Sequence, residues 1–267
     1  MSKTVVITGA GGVLCSVFAE DFVKNGAKVA LLDISAESLE RLTAKLGVNA
    51  IAFPSSVLDK SGLQEVEAKI RRDLGVTDIL INGAGGNSAR ATTDEESCFE
   101  IPNGKSFFDL GEEGIDFVFN LNFKGAFLTT QVFAKAMAER KSGNILNISS
   151  MNAFTPLTKI PAYSAAKAAI SNFTAWLATY FAPQNLRVNA IAPGFFSTNQ
   201  NKTLLYNADG SLTARSHKII SGTPMGRFGA PNELLGAVRF LTDDSLAAFI
   251  TGVVLPVDGG YNAYSGV

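Results

Sequence analysis

Three side chains that lie close together in the sequence have the chemical types needed to move a proton. Tyr163 and Lys167 are four residues apart at the start of a segment with helical composition, so they share one helix face. A cation within about 4–6 Å stabilises a phenolate and lowers the tyrosine pKa from its usual value of about 10. We therefore expect Lys167 to make Tyr163 usable for proton transfer near neutral pH.

Ser150 stands before this pair, just after the apolar run 144–148, which is typical of a buried strand. A hydroxyl at such a strand end could hold a substrate oxygen for Tyr163. By itself, Tyr-x-x-x-Lys indicates little, because an amphipathic tyrosine beside a solvated lysine is the commoner arrangement. The interpretation depends on the structural context that the rest of the protein supplies.

The composition narrows the class of protein. The 267 residues are 46% hydrophobic with a net charge of −1, which predicts one α/β domain over 1–267 and no nucleic-acid partner. No apolar run reaches the ~18–20 residues of a membrane span, so no membrane partner is expected. Residues 1–4 lead straight into a strand pattern, so no signal peptide is expected. Cys15 and Cys98 are too few for a disulfide framework and indicate a cytoplasmic location. His217 is the only histidine, and no spacing indicates a metal site.

The N-terminal segment has the pattern of a dinucleotide-binding unit. A β-branched run at 5–7 leads into a glycine-rich turn at 8–12, a helix at 14–24 and a second strand at 28–32, which Asp33 closes. The glycines let backbone N–H groups and the helix N-terminus approach a pyrophosphate. Asp33 is placed to accept hydrogen bonds from the adenosine ribose. An ordinary tight turn is the alternative for the glycines, and the acid after the second strand favours the cofactor interpretation.

Strands and helices then alternate along the whole sequence. This alternation predicts a Rossmann-type, doubly wound parallel sheet of about seven strands with helices on both faces and ligands at the C-terminal strand ends. The later strands are predicted at 49–53, 78–81, 144–148, 187–191 and 253–257, and the later helices at 35–47, 60–74, 114–140, 165–181 and 231–242.

Two polar stretches interrupt the alternation. Residues 87–112 are predicted to form a long insertion loop, and residues 195–222 an irregular substrate lid. Loops this long in a compact domain are usually functional. Each follows a turn at a strand end: the glycine-rich turn 82–87 and Pro193-Gly194. We therefore expect both loops on the same edge of the sheet as Ser150.

With these residues assembled, the sequence resembles the short-chain dehydrogenase/reductase family over essentially its whole length. Thr8-Gly9 resembles the start of the cofactor motif of the family, and 82–85 resembles its Asn-Asn-Ala-Gly element. The catalytic tetrad of the family matches four residues here, with the usual serine-to-tyrosine spacing of 13: Asn122, Ser150, Tyr163 and Lys167.

The resemblance implies NAD as cofactor and a set of residues that hold it. Pro193-Gly194 with Thr198 resembles the segment that binds the nicotinamide carboxamide. Asp33 favours NAD over NADP, because a carboxylate repels a 2′-phosphate. The predicted cofactor-binding residues are Gly9, Gly11, Gly12, Val13, Leu14, Asp33, Ser56, Val57, Asn82, Gly83, Ala84, Tyr163, Lys167, Pro193, Gly194, Phe196 and Thr198.

Several positions depart from the family pattern. The last two glycines of the Thr-Gly-x-x-x-Gly-x-Gly motif are replaced by Val13 and Cys15. Ser56 stands where an aspartate usually contacts the adenine, and Gly83 replaces the second asparagine of Asn-Asn-Ala-Gly. The span 82–122 is also longer than usual by about a dozen residues.

The segments 11–16, 82–87, 119–123 and 150–163 resemble one group of the family more closely, the D-mannonate oxidoreductases of the short type, also called fructuronate reductases. This likeness implies hexuronate catabolism, in which D-mannonate and D-fructuronate are interconverted by hydride transfer at a secondary alcohol. It also implies a homotetramer. A gluconate 5-dehydrogenase or another sugar-acid or polyol enzyme is one alternative, and a protein that senses NAD(H) without turnover is another.

The implied roles follow the family. Tyr163 exchanges the substrate proton, Lys167 lowers its pKa and bonds the nicotinamide ribose, Ser150 holds the reacting oxygen, and Asn122 positions a water. A sugar acid also brings a carboxylate, which needs a cationic or hydrogen-bonding partner. Lys159 is the favoured partner because it lies between Ser150 and Tyr163, although a solvated loop lysine is the alternative. The other candidates for the carboxylate are Asn152, Arg90, Lys202, Arg215 and His217. The predicted substrate-binding set is Asn87, Ser150, Asn152, Lys159 and Tyr163.

Overall fold

The structure is a computed structural model that describes residues 2–198 and 201–266. Asn199 and Gln200, which belong to the predicted lid, lie outside the described residues. In the described part, seven parallel strands form one sheet in the order β3-β2-β1-β4-β5-β6-β7, which confirms the predicted fold class. The strands are β1 (Thr4–Thr8), β2 (Lys28–Asp33), β3 (Ala50–Pro54), β4 (Ile79–Asn82), β5 (Gly143–Ile148), β6 (Leu186–Pro193) and β7 (Val254–Val257).

Helices cover both faces of the sheet because alternate strand residues point to opposite sides. Val5 and Ile7 of β1 pack in one apolar cluster with Phe18, whereas Val6 packs in the other with Phe133. The described helices are α1 (Val13–Lys24), α2 (Ala36–Leu46), α3 (Lys60–Asp73), α4 (Glu112–Phe119), α5 (Gly125–Glu139), α6 (Pro161–Phe181), α7 (Lys202–Leu205), α8 (Ala214–Ser221), α9 (Leu235–Thr242) and α10 (Asp244–Ala247). None of them is both long and apolar enough to cross a membrane.

The order of the strands reverses between β1 and β4, and this reversal positions the site. Thr8, the last residue of β1, pairs with Leu32 on one side and with Asn82 on the other. The turns that follow β1 and β4 therefore leave the sheet side by side. Ligands of doubly wound sheets bind at such a point.

The helix predicted over 114–140 is interrupted. A π-helical turn, Asn120–Lys124, separates α4 from α5. The Asn122 side-chain Nδ2 donates to the Val118 carbonyl at 2.8 Å. In an α-helix that carbonyl would pair with the backbone N–H of residue 122, so the side chain replaces the backbone donor. Single π-turns of this kind occur mostly at functional sites.

The predicted lid is more regular than expected, because α7 and α8 lie within it. Thr213 caps α8 by accepting a hydrogen bond from the Ser216 N–H at 3.2 Å. The buried Ser216 hydroxyl donates to the Leu205 carbonyl at 2.6 Å and joins α8 to α7. These local hydrogen bonds stabilise two short helices that the hydrophobic pattern of the segment does not indicate.

Candidate active site

The floor of the site is made by the two turns that meet at the reversal point. Gly9 has a φ of +66°, and a Cβ at this residue would lie 2.8 Å from the Ala84 Cα. The Thr8 hydroxyl accepts hydrogen bonds from the Gly83 N–H at 3.1 Å and the Ala84 N–H at 3.2 Å. This close backbone approach explains the need for glycine at residue 9.

Above this floor lies an open cleft of about 470 Å³. Its wall brings together many of the predicted residues, from segments far apart in the sequence. The predicted residues that line it are Gly9, Gly12, Val13, Leu14, Asp33, Val57, Gly83, Ala84, Ser150, Tyr163, Lys167, Pro193, Gly194 and Thr198.

Asp33 is fixed at the lip of the cleft by backbone groups. Its Oδ2 accepts from the Gly11 N–H at 3.0 Å, and its Oδ1 accepts from the Ser35 N–H at 3.0 Å. A Cβ at Gly11 would lie 3.1 Å from Oδ2, so the small residue lets the carboxylate approach the turn. The negative charge is thereby held beside the glycine-rich turn that would receive a dinucleotide.

Lys167 is buried beneath Tyr163. Its Nζ donates to the Ile148 carbonyl at 2.8 Å and lies 5.6 Å from the centroid of the Tyr163 ring. Burial lowers the pKa of the Lys167 ammonium from 10.5 to about 8. At pH 7 the charged form is therefore favoured only by about tenfold.

The expected fall in the pKa of Tyr163 is not found. Burial raises the pKa of the Tyr163 phenol, and the hydrogen bond with the Ser150 hydroxyl only partly offsets that rise. Loss of hydration outweighs a lysine that is itself desolvated and bonded to the Ile148 carbonyl. Tyr163 is therefore a protonated donor at neutral pH, with Ser150 as its hydrogen-bonding neighbour.

Asn122 lies just behind the cleft wall, at the π-turn. Its Oδ1 accepts from the Gly86 N–H at 3.1 Å and its Nδ2 donates to the Gly86 carbonyl at 2.7 Å. A Cβ at Gly85 would lie 2.6 Å from Asn122 Oδ1 and 3.1 Å from Lys167 Nζ. The turn after β4 thus brings the amide of Asn122 and the ammonium of Lys167 into one space.

Cys15 and Gly83 both depart from the family pattern, and the space that one needs is left free by the other. A Cβ at Gly83 would lie only 2.2 Å from the Cys15 Sγ. The sulfur therefore occupies the volume that a side chain at residue 83 would need. Burial raises the pKa of the Cys15 thiol to about 12, so it is a neutral packing group. A cysteine at residue 15 requires a glycine at residue 83.

Some predicted cofactor residues lie behind the cleft wall. Asn82 is buried, and its side-chain Nδ2 donates to Asn147 Oδ1 at 2.8 Å and to Thr130 Oγ1 at 3.0 Å. Phe196 packs against Gly229 in the spaces next to the cleft, and the Ser56 hydroxyl accepts from the Leu58 N–H at 3.2 Å. These side chains support the site from outside.

Several lining residues were not among the predicted ones. All of them lie within two residues of a predicted position, and that proximity was the available signal. They are Cys15, Ile34, Ser55, Gly85, Gly86, Leu121, Ile148 and Ser149.

The predicted substrate residues outside the tetrad are scattered. Asn87 is exposed and donates from Nδ2 to Thr92 Oγ1 at 2.9 Å. Asn152 is buried, with its backbone N–H bonded to the Ser150 hydroxyl at 3.2 Å. Lys159 has a φ of +71°, and its Nζ donates to the Asp94 carbonyl at 2.7 Å. Lys159 therefore joins the catalytic segment to the insertion loop.

Comparisons with known proteins show the family of this chain. The family model for the short-chain dehydrogenases matches residues 3–208. An uncharacterized oxidoreductase of Haemophilus influenzae is 55% identical over 100% of this chain and 95% of its own length. The 5-keto-D-gluconate 5-reductase of Escherichia coli K12 is 33% identical over 97% of this chain and 94% of its own length.

A solved structure from Haemophilus influenzae, provisionally described as a D-mannonate oxidoreductase with bound NAD, matches at a TM-score of 0.95. The two proteins are 55% identical, and the match covers 99% of this chain and 96% of the other. This chain belongs to the short-chain dehydrogenase family. It is an oxidoreductase acting on CH–OH groups.

Proposed function

We propose that the protein interconverts D-mannonate and D-fructuronate with NAD(H), as a step of hexuronate catabolism. The observation that carries the proposal is the 55% identity to the NAD-bound protein provisionally described as a D-mannonate oxidoreductase. The grouping of Ser150, Tyr163 and Lys167 on one cleft wall supplies the chemistry for such a reaction.

NAD fits the cleft because its floor has glycines where side chains would collide and a fixed carboxylate at its lip. Gly9, Gly12 and the N-terminus of α1 would receive the pyrophosphate, and Asp33 the adenosine ribose. Pro193, Gly194 and Thr198 would lie by the nicotinamide. When bound, the nicotinamide supplies or accepts the hydride.

The side chains of the cleft handle the proton. During reduction, the Tyr163 hydroxyl donates its proton to the substrate carbonyl oxygen, and during oxidation it takes the proton back. Ser150 hydrogen-bonds Tyr163 and holds the same substrate oxygen. Lys167 stabilises the phenolate that forms after donation, because its ammonium is close and poorly solvated. Asn122 positions a water in the path by which Tyr163 is protonated again.

We further propose that residues 1–267 act as one domain in which the insertion loop 87–112 and the lid 195–222 cover the substrate. The support is an ion pair between the two segments, in which Lys218 Nζ lies 2.9 Å from Glu96 Oε1. Asn87 and Asn152 would then contact hydroxyl groups of the substrate together with Ser150 and Tyr163, and Lys159 would add positive charge on the side of its carboxylate.

A reductase for 5-keto-D-gluconate is the second candidate. It is favoured by the 33% identity to the enzyme of that name from Escherichia coli. The tetrad and cofactor cleft serve both reactions equally, so only the substrate side distinguishes them.

The deciding experiment compares NADH oxidation with D-fructuronate, 5-keto-D-gluconate and D-fructose, and repeats each assay with NADPH. We expect the highest kcat/KM for D-fructuronate with NADH, and D-mannonate with NAD for the reverse reaction. If 5-keto-D-gluconate is reduced and D-fructuronate is not, the second candidate replaces the first. A catalytic efficiency with NADPH equal to that with NADH would contradict the cofactor assignment.

We propose a homotetramer in the cytoplasm. Two separate exposed apolar faces support the assembly, since two different self-complementary contacts generate a tetramer. One lies on α6, where Trp176 and Tyr180 are more than half exposed, and the other near α10, with Leu246 and Phe249. Light scattering of Trp176→Glu and Phe249→Glu should each give a dimer. The free cysteines Cys15 and Cys98 fit a reducing compartment.

A further inference from the structure

A second space lies beyond the catalytic cleft, between the insertion loop, the segment 157–160 and α8. Its volume is about 500 Å³. Three cations line this space, Lys159, Arg215 and Lys218, against a single carboxylate, that of Glu96. The positive balance of its described lining residues favours an anionic ligand.

Two of these cations already have protein partners. Lys159 Nζ donates to the Asp94 carbonyl at 2.7 Å, and Lys218 Nζ pairs with Glu96 Oε1 at 2.9 Å. The Arg215 side chain forms no hydrogen bond or ion pair with any residue in the ranges 2–198 and 201–266, whereas its backbone belongs to α8. The guanidinium donors of Arg215 are therefore available to a ligand.

Arg215 also faces toward the cofactor side. It lines a smaller space of about 230 Å³, which shares Leu14, Gly194 and Thr198 with the catalytic cleft. Among the described lining residues, Arg215 is the charged side chain common to this space and the outer one. The backbone next to it is fixed, because the fully buried Ser216 hydroxyl donates to the Leu205 carbonyl.

We infer that Arg215 binds the carboxylate of the substrate and so distinguishes sugar acids from uncharged ketoses. This inference rests on the proposed function and deepens it. A planar guanidinium binds a carboxylate through two parallel hydrogen bonds. In both candidate keto acids several carbons separate the carboxylate from the reacting carbonyl. The cation must therefore stand in the outer part of the site, and Arg215 does.

Lys159, the partner expected from the sequence, has a different role in this arrangement. One of its three N–H groups holds the Asp94 carbonyl, and its backbone carbonyl accepts from the Thr93 N–H at 2.9 Å. It therefore fixes the insertion loop and adds positive charge to the space, while Arg215 makes the direct contact. Its loss should affect acid binding less than the loss of Arg215.

The test measures binding as well as turnover. Calorimetry gives the Kd of D-mannonate and of D-mannitol for the enzyme with bound NADH, a combination that cannot react. Arg215→Gln should weaken D-mannonate binding about tenfold to a hundredfold and leave D-mannitol unchanged. Arg215→Lys keeps the charge but loses the two parallel N–H donors, so its Kd for D-mannonate should lie between those of the wild type and Arg215→Gln. Lys202→Gln removes an exposed cation of the lid that lines neither space and should change the Kd of D-mannonate less than about threefold.

The outcomes separate this inference from the proposed function. Equal weakening of D-mannonate and D-mannitol by Arg215→Gln would overturn the role of Arg215, as would an equally large loss of D-mannonate binding in Lys202→Gln. If the wild-type enzyme reduces neither keto acid but binds D-mannonate through Arg215, the proposed reaction fails and the carboxylate site stands. If it reduces D-fructuronate with the same KM in Arg215→Gln, the reaction stands and the carboxylate site fails.

Discussion

The two sides of Tyr163 are constructed differently. On the cofactor side, backbone turns at the ends of buried strands meet at close range, as at Gly9 and Ala84. On the substrate side, two long segments are held by side chains that bond to backbone carbonyls or to each other, as in Lys159 with Asp94 and Lys218 with Glu96. The cofactor side is formed by the strand ends and turns of the sheet, whereas the substrate side is formed by segments attached to the sheet.

This difference explains how one family serves many substrates. A change on the cofactor side alters backbone packing, so it must be matched elsewhere, as Cys15 and Gly83 are. A change on the substrate side replaces an exposed or half-buried side chain and leaves the sheet intact. Specificity should therefore vary easily among relatives while the cofactor cleft stays the same.

The largest effect is expected at the boundary between the two sides. Tyr163→Phe keeps the ring and removes the proton donor, so turnover should fall by about 10²–10⁴-fold or more. The Kd of NADH, measured by fluorescence titration, should change less than about twofold. A single-turnover rate close to that of the wild type would show that Tyr163 is not the proton donor.

The next largest effect is expected from a substitution that disturbs the packing of the cofactor side. Gly83→Ala places a Cβ about 2.2 Å from Cys15 Sγ and 2.8 Å from the Thr8 carbonyl oxygen. We expect a loss of about 1–3 kcal/mol in the free energy of unfolding, measured with denaturant, and weaker NADH binding.

Cys15→Gly should partly rescue Gly83→Ala, because it removes the sulfur but not the Thr8 contact. The double-mutant cycle should therefore give a coupling free energy of about 0.5 kcal/mol or more. Strictly additive effects would mean that the two residues do not compensate each other.

Cofactor choice should respond to the charge at the lip of the cleft. Asp33→Asn keeps the size of the side chain and removes its charge. We expect the ratio of kcat/KM for NADH over NADPH to fall about tenfold or more, which corresponds to ~1.4 kcal/mol. Glu37→Gln on the exposed face of α2 is a matched control and should leave the ratio unchanged. An unaltered ratio in Asp33→Asn would place the discrimination elsewhere.

The pH dependence of kcat/KM should follow the ionisation of the Lys167 ammonium. Its pKa of about 8 in the folded protein lies below the ordinary value of 10.5, so the native enzyme loses this charge as the pH rises through 8. In the direction of reduction, kcat/KM for NADH should fall above about pH 8, since this constant reports the free enzyme. The unfolded protein holds this proton up to a higher pH than the native protein does. The contribution of Lys167 to the free energy of unfolding therefore increases as the pH rises from 8 to 10.5. A flat profile to about pH 9.5 would contradict this assignment.

The smallest expected effect is a difference in hydrogen exchange between the two substrate segments. Hydrogen exchange with NADH and D-mannonate bound should show added protection in both 87–112 and 195–222. The gain should be larger in the lid, because Lys105 Nζ already holds the Ala89 and Arg90 carbonyls and Glu95 holds the Phe99 N–H. Unchanged exchange in both segments would make them surface features without a role in closure.

The sequence determined the features that depend on local pattern. The alternation of strands and helices predicted the parallel sheet, because apolar periodicity and glycine turns are read within short windows. Asp33 after β2 and the spacing of Ser150, Tyr163 and Lys167 indicated a cofactor and a proton donor. Each of these signals needs only a few neighbouring residues.

The tertiary structure decided what depends on several segments meeting. The approach of Cys15 to Gly83 joins the first turn of α1 to the turn after β4, and in the π-turn the Asn122 side chain bonds to the Val118 carbonyl. The direction of the Tyr163 pKa shift followed from loss of hydration in the folded protein, which the spacing to Lys167 does not reveal. The sequence offered Arg215 as one of several candidate partners for the carboxylate, and the folding of α8 against the insertion loop distinguishes it by bringing its charge into the outer space.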